Sequence, residues 1–177
     1  MNGTEPLKVK HHSLTGRITE KMMNDAFKSV RKNRGAAGVD RQSLEMFEAN
    51  LDQNLAALMK DLKQGTFQPK PALRKHIDKG DGKTRPLGIP TVRDRVAQEV
   101  LRQLLTPLFE PLFHSQSYGF RPGRSCHDAV SEVDRLHKQR YRHVFDADIS
   151  GFFDNIPFHV IKRGLTNVIA DGNILTL

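Results

Sequence analysis

The spacing of apolar residues changes abruptly near residue 65, and that change limits the folds open to this chain. Before it the period is helical. Leu44, Phe47, Leu51, Leu55, Leu58 and Leu62 recur at threes and fours, so they share one face of a helix that begins near Ser43 and is stopped by Gly65. An earlier helix is expected over 17–34, with Ile18, Met22, Phe27 and Val30 on one face and Gly35 as its stop. "GAAGVD" (35–40) reads as the turn between them. After Gly65 the pattern becomes that of a hairpin. "KPALRKHIDKGDGKTRPLGIP" (70–90) has Pro near both ends and a Gly-rich tip, which predicts strands near 71–77 and 84–89. The tip is polar and carries Lys79 and Lys83. It is either an exposed, solvated turn or a lid that folds over an anion.

A helical period returns downstream. Val92, Val96, Val100, Leu104 and Leu108 fall every four residues, with Leu101 and Leu105 widening the stripe, and Pro107 and Pro111 are expected to break the helix. "FHSQSYGFRPGRS" (113–125) reads as a loop. Ser125 with Asp128 makes a capping box for a helix over 126–138, whose core residues would be Ala129, Val133 and Leu136. Residues 141–149 alternate: Val144, Asp146 and Asp148 on one face, Phe145, Ala147 and Ile149 on the other. That predicts a strand buried through its Phe face with both carboxylates on the open face. A last helix is expected near Pro157. Helices and strands in separate runs place the chain in the α+β class.

Charge narrows the function. Lys plus Arg is 28 against 20 for Asp plus Glu, a net +8 with a pI near 9.8. Such a field draws in polyanions, nucleic acid first among them, or it is a solvated basic surface without a specific ligand. Arg85, Arg93, Arg95, Arg102, Arg121 and Arg124 cluster in sequence, and the guanidinium fork suits phosphate. The single cysteine, Cys126, excludes an internal disulfide framework and a cysteine-based zinc site, and is expected to be a buried small residue at a helix start. A reducing, bacterial-type cytoplasm is the expected setting. No apolar run is long enough to span a bilayer, so no membrane partner is expected, and residues 1–16 read as a flexible basic arm without the apolar centre of a signal peptide. The acids of "HVFDADISGFFDNI" (143–156) could face a metal ion, a basic partner or water. Two carboxylates at a strand end beside a basic cleft suit magnesium, although Asp-x-Asp alone is a weak motif.

Three strings carry a resemblance that spacing cannot supply. "RPLGIP" (85–90), "SYGFRPGRS" (117–125) and "DADISGFFDNI" (146–156), in this order and with "NRGAAGVD" (33–40) upstream, resemble the reverse transcriptases encoded by group II introns over about residues 20–177. The resemblance implies a polymerase right hand: helical fingers with a β-hairpin over 17–140, and the first strand of a truncated palm opening 141–177. It implies Asp148 as a catalytic, magnesium-binding aspartate, with the Ile149 carbonyl as a further ligand of a two-metal site only partly encoded here. It places Phe153 under the incoming sugar, Lys79 and Arg85 on the triphosphate of the dNTP, and Arg31, Arg34, Arg121 and Arg124 along the template, with Lys32 and the backbone of Gly119 and Gly123 nearby. RNA template (intron RNA), DNA primer and dNTP are the implied partners. Asp146 is expected in an outer salt bridge, and Asp154 as a brace of its turn.

One departure is large. The family's second palm element, an aromatic-x-Asp-Asp turn, is missing, since no Asp-Asp pair occurs in the 177 residues. The chain is therefore expected to bind without synthesis, to leave the strand after residue 140 unpaired and marginally stable, and to be completed by a complementary palm and thumb segment or by dimerisation. The rival reading is a non-catalytic, maturase-type module that binds intron RNA and supports splicing. A DNA-binding regulator has no helix-turn-helix or zinc pattern to support it.

Overall fold

Several helices start where a short polar side chain caps them. In the computed structural model, which describes residues 10–177 apart from Lys79, Asp81 and Lys83 and without the side chains of Phe153 and Asp154, Thr19 opens α1 (Glu20–Lys32) by accepting the Met22 amide at 3.2 Å. Ser43 does the same for α2 (Leu44–Glu48) through Met46. The single helix expected from Ser43 to Gly65 is in fact two. Asn50 leaves helical geometry (φ −126°, ψ 44°), α3 restarts over Leu51–Gln64, and the Asn54 side-chain amide donates to the Phe47 carbonyl at 2.9 Å. A side chain thus supplies the bond that the interrupted helix lost. Gly65 ends α3 in the left-handed region (φ 68°), as expected of a glycine there.

Strands β1 (Leu73–Asp78) and β2 (Thr84–Ile89) pair antiparallel, Leu73 opposite Ile89 and Asp78 opposite Thr84. This hairpin matches the expected strands to within two residues. Helix α4 (Val92–Phe109) follows, and it runs through Pro107, where a break was expected. The missing proline amide falls in the final turn, where one lost bond does not stop the helix. Pro111 instead sits in a 3-10 turn at Glu110–Leu112. Helices α5 (Cys126–Lys138), α6 (Phe152–Asn155), α7 (Phe158–Thr166) and α8 (Gly172–Thr176) complete the order. The α5 boundaries and its Ser125–Asp128 capping box are as expected. No described helix is long and apolar enough to cross a membrane.

The chain divides into two compact units, residues 1–105 with 162–177, and residues 106–161. Among the described residues, all buried apolar ones belong to the first. Phe27 of α1 stacks on Phe47 of α2 with ring centres 5.6 Å apart, α3 inserts Leu55, Leu58 and Leu62, and α4 inserts Val92, Val96, Val100 and Leu104. Burying each such side chain contributes about 1.5–3 kcal/mol. The described part of the segment expected to be a flexible arm is tied to this core, with Leu14 and Thr15 buried. His11 bridges Ile169 in parallel, Leu14 is fully buried, and Asp171 accepts both the amide and the hydroxyl of Thr15, at 2.9 and 3.1 Å. The same carboxylate caps α8 through the amides of Asn173 and Ile174. One acid therefore ties together two segments at opposite ends of the sequence.

The second unit buries no described residue. Val133 of α5 is 63% exposed, so the expected core of Ala129, Val133 and Leu136 does not form, and Cys126 is exposed rather than buried. The expected strand over 141–149 is absent. These residues have no regular structure, and Phe145, the face expected inside, is 92% exposed. A strand is stable only when a neighbour takes its amides and carbonyls. The two strands among the described residues already pair with each other.

Burial pushes the Asp171 pKa up, but the hydrogen bonds from Thr15, Ile174 and Asn173 outweigh it and hold the carboxyl below its usual value. Its contribution is complete above the unfolded-state pKa of about 4 and is lost as pH falls through the lower folded value. Asp171→Asn is expected to lower stability by about 1–3 kcal/mol at neutral pH. The gap to wild type should shrink as denaturant melts are repeated from about pH 5 down to pH 2. Hydrogen exchange in dilute solution should find the amides of 141–149 unprotected while those of α3 and α4 exchange slowly. Equal protection in a monomer would contradict this account of the second unit.

Candidate nucleic-acid interface

The hairpin presents cations on both faces. Cross-strand partners share a face, so Lys75, Ile77, Arg85 and Leu87 lie on one side and Arg74 and His76 on the other. Arg85, opposite Ile77, is exposed, and among the described residues it has no carboxylate partner. Lys79, expected to act with it, lies outside the described residues.

A second basic feature is the turn after α1. Arg31 pairs with Glu48 at 2.6 Å but stays more than half exposed. Arg34 is exposed and adopts a left-handed backbone (φ 52°), followed by Gly35 at φ 122°. That pair turns the chain back onto the start of α4. There Arg95 donates to the Arg34 carbonyl at 3.3 Å and to the Ala36 carbonyl at 3.0 Å. Gly38 lies against Pro90 and Thr91 so closely that a Cβ would sit 2.7 Å from the Thr91 backbone. Beside the turn is an open cleft of about 280 Å³ lined by Arg34, Arg95, Gln98, Glu99 and Arg102. Glu99 holds Arg102 in a two-pronged pair at 2.7 Å on each arm, and its pKa is lowered chiefly by that hydrogen bond. Three guanidiniums against one carboxylate leave the cleft positive, which suits phosphate. Arg95 was visible in sequence only as one of a cluster. The signal for its role was the pair of glycines, Gly35 and Gly38, that mark a close backbone approach.

The loop of the second unit uses its arginines differently. The Arg121 side chain is only 8% exposed. It donates to the Glu110 carboxylate at 2.9 Å, to the carbonyls of His114 and Ser117 at 2.7 and 2.9 Å, and lies over the Phe113 ring. Arg124 donates to the Ser115 carbonyl and lies over Tyr118. Both were expected on template. Their guanidinium donors bind the loop's own carbonyls and glutamate and hold its shape, and Arg121 has little surface left for phosphate. Sequence cannot separate these uses, because an arginine suits a carbonyl cage as well as a phosphate.

Asp146, Asp148 and Ile149 are exposed in the irregular segment, and among the described ion pairs Asp146 has no partner, so its expected salt bridge is not formed. The side chains of Phe153 and Asp154 lie outside the description. Among the described residues no three His, Cys, Asp or Glu side chains converge where a metal could sit. One carboxylate and a neighbouring carbonyl make only part of a magnesium shell, so these residues alone do not fit a two-metal centre.

Comparison with known proteins agrees with the order of the motifs. Residues 77–176 match the model of the reverse transcriptase (RNA-dependent DNA polymerase) family, a span that holds most of the hairpin, the 113–125 loop and the Asp146–Asp148 segment. The chain is 38% identical over 144 residues to protein YkfC of Escherichia coli, covering 79% of this chain and 38% of that protein. It is also 38% identical over 146 residues to the group II intron-encoded protein LtrA of Lactococcus lactis, covering 81% of this chain and 24% of LtrA. Nuclear intron maturase 1 of Arabidopsis thaliana is 36% identical over 88 residues, half of this chain and 12% of the maturase. The chain thus spans well under half the length of these relatives. With the family model covering more than half of its length, the chain belongs to the reverse transcriptase family, among members of the group II intron-encoded, maturase-related kind.

Proposed function

We propose that this chain is the fingers and the opening of the palm of an RNA-directed DNA polymerase of group II intron type. The observation that carries the reading is the family match over 77–176, which runs continuously through all three distinctive strings. The charge distribution supports it. Residues 106–161 hold six Lys and Arg against seven Asp and Glu, whereas the first unit holds 22 against 13. Attraction for a polyanion therefore resides in the unit that carries the hairpin and the Arg31–Arg34 turn. In this reading Arg31 and Arg34 hold RNA template, and Lys79 and Arg85 grip the triphosphate of a dNTP set against a DNA primer. Two cations on that group offset the charge that develops during phosphoryl transfer. Phe153 sits under the sugar. Asp148 and the Ile149 carbonyl contribute to a magnesium site whose other carboxylates come from outside the described residues.

A specific observation favours a second reading for the chain as it stands. With Asp148 exposed on an irregular segment and no ligand cluster around it among the described residues, the basic unit can clamp intron RNA without catalysis, as a maturase-type module would. The two readings part at Lys79, Arg85 and Asp148, which only the polymerase needs.

The isolated chain is expected to extend no primer on an RNA template, and processive, Asp148-dependent cDNA synthesis would overturn that. RNA binding is expected all the same, measured by fluorescence anisotropy on a labelled single strand. Arg31→Gln should weaken it and lower the slope of log K against log salt by about 0.7, the share of one phosphate contact on a single strand. Arg121→Gln should leave the slope unchanged and destabilise the 113–124 loop instead. Lys79→Gln, Arg85→Gln and Asp148→Asn should barely change RNA affinity if the clamp reading holds, and should abolish dNTP incorporation in a palm-complete protein if the polymerase reading holds.

A further inference from the structure

The turn at 33–38 holds an uncommon backbone that something outside it must fix. Arg34 is a long side chain in the left-handed region (φ 52°), where non-glycine residues are uncommon, and Gly35 at φ 122° is in a region that only glycine enters without strain. Such a backbone persists only when its surroundings determine it. The surroundings are the first turn of α4. At one end of the turn Arg95 bridges the carbonyls of residues 34 and 36, and at the other Gly38 rests on the Pro90–Thr91 backbone. The platform is itself rigid, since Thr91 and Asp94 are buried and bonded to each other at 2.7 Å, and Val92 is wholly buried. Arg95 also carries a buried Nε without a hydrogen-bond partner. Its other two nitrogens make the contacts that span the turn.

From this geometry we infer that Arg95 is a positioning residue, whose fork across the Arg34 and Ala36 carbonyls sets the turn so that the Arg34 guanidinium faces RNA. The inference rests on the reading of Arg34 as a template contact. Arg95 need not touch RNA. Its charge could be replaced by a lysine, but its planar, two-pronged donation could not. Two carbonyls two residues apart require two donors in a fixed geometry, and an ammonium on a flexible stem does not hold both.

The test is a double-mutant cycle on the full chain, read as affinity for a labelled single-stranded RNA over a range of salt. Arg34→Gln in the wild-type background should weaken binding about 3–10-fold and lower the salt slope by about 0.7. In an Arg95→Lys background, which keeps the charge, the same Arg34→Gln change should alter affinity less than about 2-fold, with no further change in slope. Gly35→Ala is an independent route to the same state, because its Cβ would come within 2.6 Å of the Arg95 Nη1. It should reproduce the Arg95→Lys phenotype while thermal melts report a folded protein. An Arg34→Gln effect of undiminished size in both backgrounds overturns the inference alone. A silent Arg34→Gln in the wild-type background overturns the template reading of the turn, and the inference with it.

Discussion

The buried carboxylate of Asp94 is the joint on which the first unit is built. It accepts the Thr91 hydroxyl at 2.7 Å and the Lys70 amide at 3.2 Å, while its own amide donates back to the Thr91 hydroxyl. These bonds cap α4 and fix the chain entering β1 beside the chain leaving β2. A buried carboxylate is tolerated only when donors surround it, and the two donors here come from the start of α4 and from the chain ahead of β1. Because α4 is seated in this way, its apolar stripe of Val92, Val96, Val100 and Leu104 meets the core in one register. Arg93 and Arg95 then project from its first turn toward different partners. Arg93 pairs with Asp61 and lies over Phe67, while Arg95 holds the 33–38 turn. The basic features of the unit are thereby hung on one capped helix end.

The two units differ in what their residues are used for. The first carries the apolar core and the whole excess of positive charge, a combination suited to a stable body that attracts RNA. The second holds its shape through polar devices: the Ser125–Asp128 box, the cage of carbonyls around Arg121, and ion pairs along α5 such as Glu132–Arg135. Exposed pairs of that kind contribute little. The motif with the clearest chemical meaning, Asp146 to Asp148, therefore lies in the part with the least packing. Segments that recognise a ligand or a neighbouring strand are commonly drawn from such low-stability regions.

Local rules were enough for the elements whose causes are local. Gly65, the Ser125–Asp128 box and the Pro-bounded hairpin each specify their own geometry, so the C-terminal end of α3, the whole of α5 and both strands were legible from residue order alone. The divided helix at Asn50 was not, because leucine spacing continues through the break and only the Asn54 side chain compensates for it. The strand expected over 141–149 has the right alternation, but alternation supplies only a face. Pairing must come from another strand.

What the sequence determined by itself was the inventory: α+β elements, a strongly basic balance and the strings that place the chain among reverse transcriptases, because propensity, charge and motif order are properties of residues in series. The tertiary structure decided how those residues are used. It turned Arg121 inward and set Arg95 against the backbone of a distant turn. It brought Thr15 to Asp171 across nearly the whole chain, and it left Phe145 uncovered. Each of these depends on which groups meet in space, and a guanidinium, a carboxylate or a phenyl ring has the same chemistry in the sequence whichever partner the fold brings to it.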